Sequence, residues 1–318
     1  MESDEIIWLL LRYNPLPNQH FTPMKKLIAI SFFAVLLSSC DSSEENLQGS
    51  NASNSFVTPM FRTYQQQIPN LAYGNDAQQK MDVYFPLRPS DDKSKVFVIV
   101  HGGGWYSGDK AGFNSEVLFI RTFFPEYMVV NLNYRLATRQ SIGNPKQIQD
   151  IAKAIKYLDD HSDELHILRE YAMIGVSAGA HLSMLYSYKY DTAHEVKAVC
   201  SIVGPTDFSD PKYWKSVLYI SGLNLFTGYK TYLENPALYN SISPAQQVNA
   251  QSPKTIMFYG NSDPLVANTQ GPILRNRLNA FGIYNELYQY PGAGHGNWNS
   301  YQQTHVNEKT IAFFRRVF

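Results

Sequence analysis

The chain of 318 residues has little cysteine, with Cys40 and Cys200 its complete supply. Two thiols cannot build a disulfide framework, and their spacing matches no zinc pattern, so stability must come from packing. Charge is also scarce and favours neither sign. Charged residues make up 17%, with 27 Lys+Arg against 27 Asp+Glu. Without a cationic excess there is no electrostatic footprint for nucleic acid, which excludes that class of partner. The apolar run Leu27 to Leu37, 11 residues long, is too short to cross a bilayer as a helix. Neither an internal repeat nor a long linker interrupts the sequence after Met60. What is present is apolar residue, 44% of the chain, enough to bury a sizeable core and to exclude intrinsic disorder over most of it.

The N-terminal part reads as targeting sequence. Met24 is followed by the charged pair Lys25-Lys26, the apolar run to Leu37, and then Leu37-Ser38-Ser39-Cys40. This tetrad resembles the lipobox of bacterial lipoproteins. The resemblance implies cleavage before Cys40, acylation of that cysteine, export, and a lipid anchor in a bacterial membrane, with the outer membrane expected. The acidic start Glu2, Asp4, Glu5 and the short apolar stretch Ile6 to Leu11 have no role in a signal peptide, so Met24 rather than Met1 is the expected start. After Cys40, a Ser-, Asn- and Glu-rich stretch to about Ser55 suits a flexible tether. The expected organisation is therefore 1–39 as upstream extension and signal peptide, 40–59 as lipidated cysteine and tether, and 60–318 as one domain.

In that domain, β-rich runs alternate with helical patterns, which predicts an α/β fold built on a mainly parallel sheet. The runs are Met81 to Phe85, Val96 to Val100, Tyr127 to Asn133, Tyr171 to Gly175, Val196 to Val203, Thr255 to Gly260 and Tyr284 to Tyr290. Val96 to Val100 is apolar throughout, as a strand covered on both faces should be. Ile148, Ile151, Ala152, Ile155 and Leu158 recur at helical spacing behind Pro145, which suits a first-turn position. A last helix is expected over about Thr304 to Val317. The stretch Phe208 to Ala250, rich in aromatics with several Gly and Pro, breaks the rhythm and reads as an irregular excursion above the sheet that walls a cleft.

Three motifs carry chemistry. Gly175-Val176-Ser177-Ala178-Gly179 lies where a strand gives way to a helical pattern, the context of a nucleophile elbow. His101-Gly102-Gly103-Gly104-Trp105 follows the buried strand directly, and a side-chain-free run lets backbone N–H groups approach a developing oxyanion. Gly103, Gly104 and Ala178 are the expected donors. Such a loop could also cradle phosphate, but no G-K-[ST] follows it. A serine needs an oriented imidazole with a carboxylate behind it. His295, in Gly292-Ala293-Gly294-His295-Gly296, is the candidate base, and His101 is read as a brace. Asp263 and Asp207 each follow a strand and compete as the acid. The chain order Ser177, Asp263, His295 favours Asp263, leaving Asp207 to cap a turn or line the cleft. Trp105, Tyr106 and Trp298 flank these loops and are candidate substrate contacts.

Taken together with Asn133-Tyr134-Arg135-Leu136, these residues resemble the α/β-hydrolase superfamily from about Ala72 onward. The stretches His101 to Lys110 and Ser177 to Leu182 look most like its carboxylesterase branch, which includes bacterial feruloyl and acetyl-xylan esterases near the hormone-sensitive-lipase-like enzymes. The resemblance implies helices on both faces of a twisted sheet, while the aromatic-rich stretch Phe208 to Ala250, read above as an insertion over the active site, matches no pattern of the family. It further implies a serine hydrolase that works through an acyl-enzyme without metal or organic cofactor, on a small ester or an esterified polysaccharide. Arg135, Asp82 and Asp150 fall where such sequences carry structural hydrogen-bonding residues. A serine peptidase or an aryl formamidase would share fold and triad, and a non-catalytic glycan-binding module would share the fold.

Overall fold

The computed structural model describes residues 66–318 apart from 215–216, within the compact unit Ser55–Phe318. Cys40 and the stretches expected to be signal segment and tether lie outside the described residues. Eight strands form one sheet: β1 Gln67–Ala72, β2 Lys80–Tyr84, β3 Ser94–Val100, β4 Met128–Leu132, β5 Ile167–Val176, β6 Val196–Ile202, β7 Lys254–Gly260 and β8 Asn285–Tyr290. Their order is β1-β2-β4-β3-β5-β6-β7-β8. From β4 across to β8 all neighbours are parallel, while β1 and β2 run antiparallel at one edge. This is the α/β-hydrolase arrangement.

The apolar strands are explained by a core on each face. Val96, Val98 and Val100 of β3 point into one layer with Ile148, Ile151 and Ile155 of the helix Lys146–Asp160. Phe97 and Ile99 point into the other, with Val117 and Ile120 of the helix Asn114–Phe123 and Phe313 and Phe314 of the helix Ser300–Val317. Side chains alternate along a strand, so a strand sandwiched in this way must be apolar at every position. Phe97 meets Phe314 edge-on at 4.9 Å and Phe318 at 5.2 Å. Cys200 on β6 is fully buried in this second layer, and burial pushes its thiol up to about 12.

Several expectations need adjustment. Pro145 is the residue before the first turn of its helix rather than within it. The last helix begins at Ser300, earlier than expected, under a capping box of Asn299 and Gln302. The stretch Phe208 to Ala250 does rise between β6 and β7, but it is substantially helical: Pro211–Trp214, Val217–Thr227, Pro236–Ser241 and Pro244–Gln247. Prolines begin three of the four, where a missing N–H costs nothing. One buried ion pair and one buried carboxylate pin the antiparallel edge to the rest. Lys110 meets Asp82 at 2.7 Å, and Arg135 meets the fully buried Asp150 at 2.6 Å, with Gln79 on the same carboxylate. Removing the Lys110 side chain would strand the buried Asp82 carboxylate, at a cost of about 3–5 kcal/mol.

Candidate active site

Along the chain β3 is followed by β4 on one side of it, and β5 then forms on the other, so the connections diverge at the C-terminal ends of β3 and β5. A crevice opens at such a switch point. His101–Ser107 leaves β3 there and Ser177 leaves β5, while Asp263 and His295 leave the same ends of β7 and β8.

Ser177 is held at φ 53°, ψ −119°, as the residue before the helix Ala178–Leu185. A non-glycine residue there stores roughly 1–3 kcal/mol of strain, and its neighbours explain why it persists. A Cβ on Gly179 would lie 2.1 Å from the Val100 carbonyl oxygen and 2.3 Å from that of His101. The elbow helix therefore lies backbone to backbone against the end of β3, and only glycine fits. On the other side, the Ser177 N–H donates to the Ile202 carbonyl at 2.8 Å.

The candidate base and acid are built in the same way. Asp263 Oδ1 accepts from the N–H groups of Leu265 and Val266 at 2.7 and 2.9 Å, leaving Oδ2 to accept from His295 Nδ1 at 2.7 Å. The Asp263 side chain is wholly shielded from water, so this bond is not screened. A carboxylate partner fixes the proton on Nδ1. Nε2 is then the acceptor for the Ser177 hydroxyl, 2.8 Å away. Asp207 is engaged elsewhere, accepting from the Ser209 N–H and hydroxyl and from Gln246 Nε2. Of the two carboxylates, Asp263 is the one that reaches the imidazole.

The glycine loop turns tightly beside Ser177. Gly103 has φ +112°, and a Cβ there would meet the Ser107 carbonyl oxygen at 2.1 Å, since Ser107 donates to the Gly103 carbonyl through both its N–H (2.9 Å) and hydroxyl (2.8 Å). Among the described residues, none accepts from the N–H of Gly103, Gly104 or Ala178. These free donors, with the positive end of the elbow helix, suit a developing oxyanion. His101 is buried and stacks on Tyr134 at 4.3 Å, and burial lowers its pKa, which fits a brace rather than a base.

The three candidate substrate contacts separate. Trp105 is 6% exposed and packs among His181, Phe208 and Phe226, so it is a core residue and the expectation of a substrate contact is corrected. Its backbone at φ +69° turns the indole inward. Tyr106 is half exposed, and a Cβ on Gly104 would lie 2.9 Å from its ring, so its ring borders the glycine loop at the surface. Trp298 donates its indole N–H to the Gly294 carbonyl at 3.2 Å and packs on Tyr290, bracing the His295 loop. Sequence reasoning missed Gln147, whose buried carboxamide donates to the Trp105 carbonyl at 2.6 Å. Its one signal was a polar residue on the apolar face of a helix. The sequence also gave no hint that Val203, at φ 47° and fully buried, closes the end of β6 beside the elbow.

The BD-FAE family model matches residues 81–278, well over half of the chain. Esterase LipC of Mycobacterium tuberculosis is 27% identical over 70% of this chain and 58% of its own length. A probable isoprenylcysteine alpha-carbonyl methylesterase of Arabidopsis thaliana is 25% identical over 71% of this chain and 56% of its own. The chain thus spans little more than half the length of these curated relatives. Among solved structures, a truncated carbohydrate esterase from gut microbiota superposes with a TM-score of 0.68 at 21% identity, covering 81% of this chain and 98% of that one. An acetyl ester-xyloside bifunctional hydrolase from Caldicellulosiruptor lactoaceticus gives 0.62 at 17%, over 74% and 88%. At these identities the superpositions show the shared fold.

Proposed function

The chain belongs to the BD-FAE family, and on that premise we propose that it is a serine carboxylesterase. The observation that carries this reading is the unbroken hydrogen-bonded chain from Ser177 Oγ through His295 to Asp263, set beside three unused backbone donors. His295 Nε2 takes the Ser177 proton as Oγ attacks the ester carbonyl, and Asp263 stabilises the imidazolium. The tetrahedral oxyanion is received by Gly103, Gly104 and Ala178. His295 then protonates the departing alcohol, and a water deprotonated by the same nitrogen attacks the acyl-enzyme, releasing acid and free Ser177.

The substrate class we assign is an acetyl or feruloyl ester on plant polysaccharide, reached by an exported protein anchored through an acylated Cys40. Supporting this are the lipobox-like tetrad, the helical excursion over the site with the half-exposed Tyr106 bordering the glycine loop, and the carbohydrate esterase among the similar structures. The test is acetate and ferulate release from acetylated, feruloylated arabinoxylan by soluble protein beginning at Asp41, beside Ser177→Ala and a p-nitrophenyl acetate control. Release that vanishes in the variant supports both chemistry and substrate class. Cleavage of p-nitrophenyl acetate alone removes the polysaccharide, and a folded protein inactive on every ester removes the enzyme. Incorporation of labelled palmitate, lost in Cys40→Ala, tests the anchor.

A further inference from the structure

His181 is completely buried, four residues beyond Ser177 on the elbow helix, and takes no part in the mechanism above. Its N–H donates to the Ser177 carbonyl at 3.0 Å. The ring is held from both sides: Nδ1 accepts from the Trp105 indole N–H at 3.1 Å, and Nε2 donates to the Ile242 carbonyl at 2.8 Å. An indole nitrogen can only donate and a carbonyl can only accept, so these partners fix the neutral tautomer with its proton on Nε2. Burial lowers the pKa to about 4, which keeps the ring in that form at neutral pH.

What the ring holds is a strained residue. Trp105 sits at φ +69° immediately after Gly104, in a conformation that a bulky side chain leaves unless its surroundings oppose the change. Its carbonyl is fixed by the Ala137 N–H at 2.8 Å and by Gln147 at 2.6 Å. On the side-chain end, the one polar partner is His181. Relaxation of φ at Trp105 would rotate the Gly103-Gly104 segment relative to those anchors and re-aim its N–H groups.

We propose that His181 is a positioning residue for the oxyanion loop: by accepting from the Trp105 indole, it holds the strained turn that points the Gly103 and Gly104 N–H groups at the carbonyl under attack by Ser177. This role rests on the esterase reading. Because the bond ties the elbow helix to the oxyanion loop, nucleophile and oxyanion donors are registered by one side chain, and the Ile242 bond extends the same register to the segment above the site.

The test uses the full chain with Trp105→Phe, His181→Leu, their double variant, and His181→Asn, whose carboxamide oxygen takes the place of Nδ1. Two readouts are followed: kcat and KM on p-nitrophenyl acetate, and hydrogen–deuterium exchange of the 101–107 amides. Trp105→Phe and His181→Leu should each lower kcat about 10- to 100-fold with KM changed less than about threefold, as for a lost oxyanion donor in part. The double variant should be no worse than the poorer single, since both remove one bond. His181→Asn should recover most of kcat. Exchange at Gly103 and Gly104 should quicken about tenfold in the first three variants and not in His181→Asn. Folded variants with kcat within about twofold of the parent and unchanged exchange overturn the proposal, as does a double variant whose loss is the product of the singles. Should His181→Leu not fold, Trp105→Phe, which keeps the ring bulk, decides. If the parent itself turns over no ester, the esterase reading falls, and the exchange rates alone decide whether this bond holds the loop.

Discussion

The two ends of the parallel strands solve the same turning problem with different residues. At the N-terminal ends, the turns into β5 and β6 place His166 and His194 at φ +55° each. Histidine is among the residues that enter this region readily, and local carboxylates complete the turn: Asp191 accepts from the N–H groups of Glu195 and Val196. At the C-terminal ends φ is again positive, at Trp105, Ser177 and Val203, a bulky ring, the proposed nucleophile and a β-branched side chain, and Ser177 with ψ −119° lies outside the left-handed helical region altogether. None of these is suited to a positive φ. At the lower end the residue is chosen for the turn, whereas at the upper end the turn is imposed on a residue needed for something else, and the surrounding bonds bear the strain. The ion pairs differ in the same sense. Lys93–Asp163 and Lys95–Glu170 at the lower end are open to solvent in part or almost wholly, where such pairs contribute about 0–1 kcal/mol, while at the upper end Lys110–Asp82 is buried and Asp150, paired with Arg135, is fully shielded.

By this contrast, changes at the upper end should cost turnover and changes at the lower end little of anything. The largest expected effect is Ser177→Ala, which should lower kcat on p-nitrophenyl acetate by about 10⁴-fold or more with the fold intact by circular dichroism. Asp263→Asn should cost about 10⁴-fold by stabilising the wrong imidazole tautomer, whereas Asp207→Asn should leave the triad geometry untouched; steady-state kinetics on both would show a mistaken carboxylate at once. Gly103→Ala comes next, with kcat expected to fall about 10²- to 10³-fold as the added carbon meets the Ser107 carbonyl and displaces the donors. At the lower end, His194→Gly should shift urea unfolding by only a few tenths of a kcal/mol and leave kcat unchanged. A large loss of turnover there would break the comparison.

The smallest effect concerns pH. Burial, the charge of Asp159 and the hydrogen bond shared with it, and the charge of Asp191 push Glu195 up to about 7 against the opposing charge of Arg169, with Tyr171 and Tyr186 also facing it. A carboxyl that binds its proton more tightly when folded contributes stability at low pH that is lost as pH rises from about 4.5 towards 7. Melting curves of Glu195→Gln should therefore decline less over that interval than those of the parent.

The sequence was most legible where a side chain had to be presented on glycine at the end of an apolar strand. Ser177, His295 and the loop at Gly103 stood out for that reason, and chain order separated Asp263 from Asp207. Strand β1 escaped because it is an exposed edge, interrupted by Pro69 and by a bulge between Ile68 and Leu71 that erases alternation. Helices of four to six residues above the sheet are too short to display a period, and Val217–Thr227 is apolar with little contrast between faces. Trp105 was misjudged because adjacency to the glycines says nothing about which way a residue at positive φ directs its ring. The importance of His181 was invisible because its partners, Trp105 and Ile242, are joined to it only through the fold.

The burial of Cys200 gives the molecule an internal clock. In a Cys40→Ala chain it is the sole thiol, and a sulfur enclosed on a central strand and held protonated cannot meet an alkylating reagent while the two layers stay closed. Reaction must wait for the layer that includes the helix Ser300–Val317 to open. In the limit of excess reagent, the rate at which iodoacetamide modifies Cys200 is then the rate of the easiest opening that bares it, so the lifetime of the closed layer is readable by mass, without a denaturant and without a substrate.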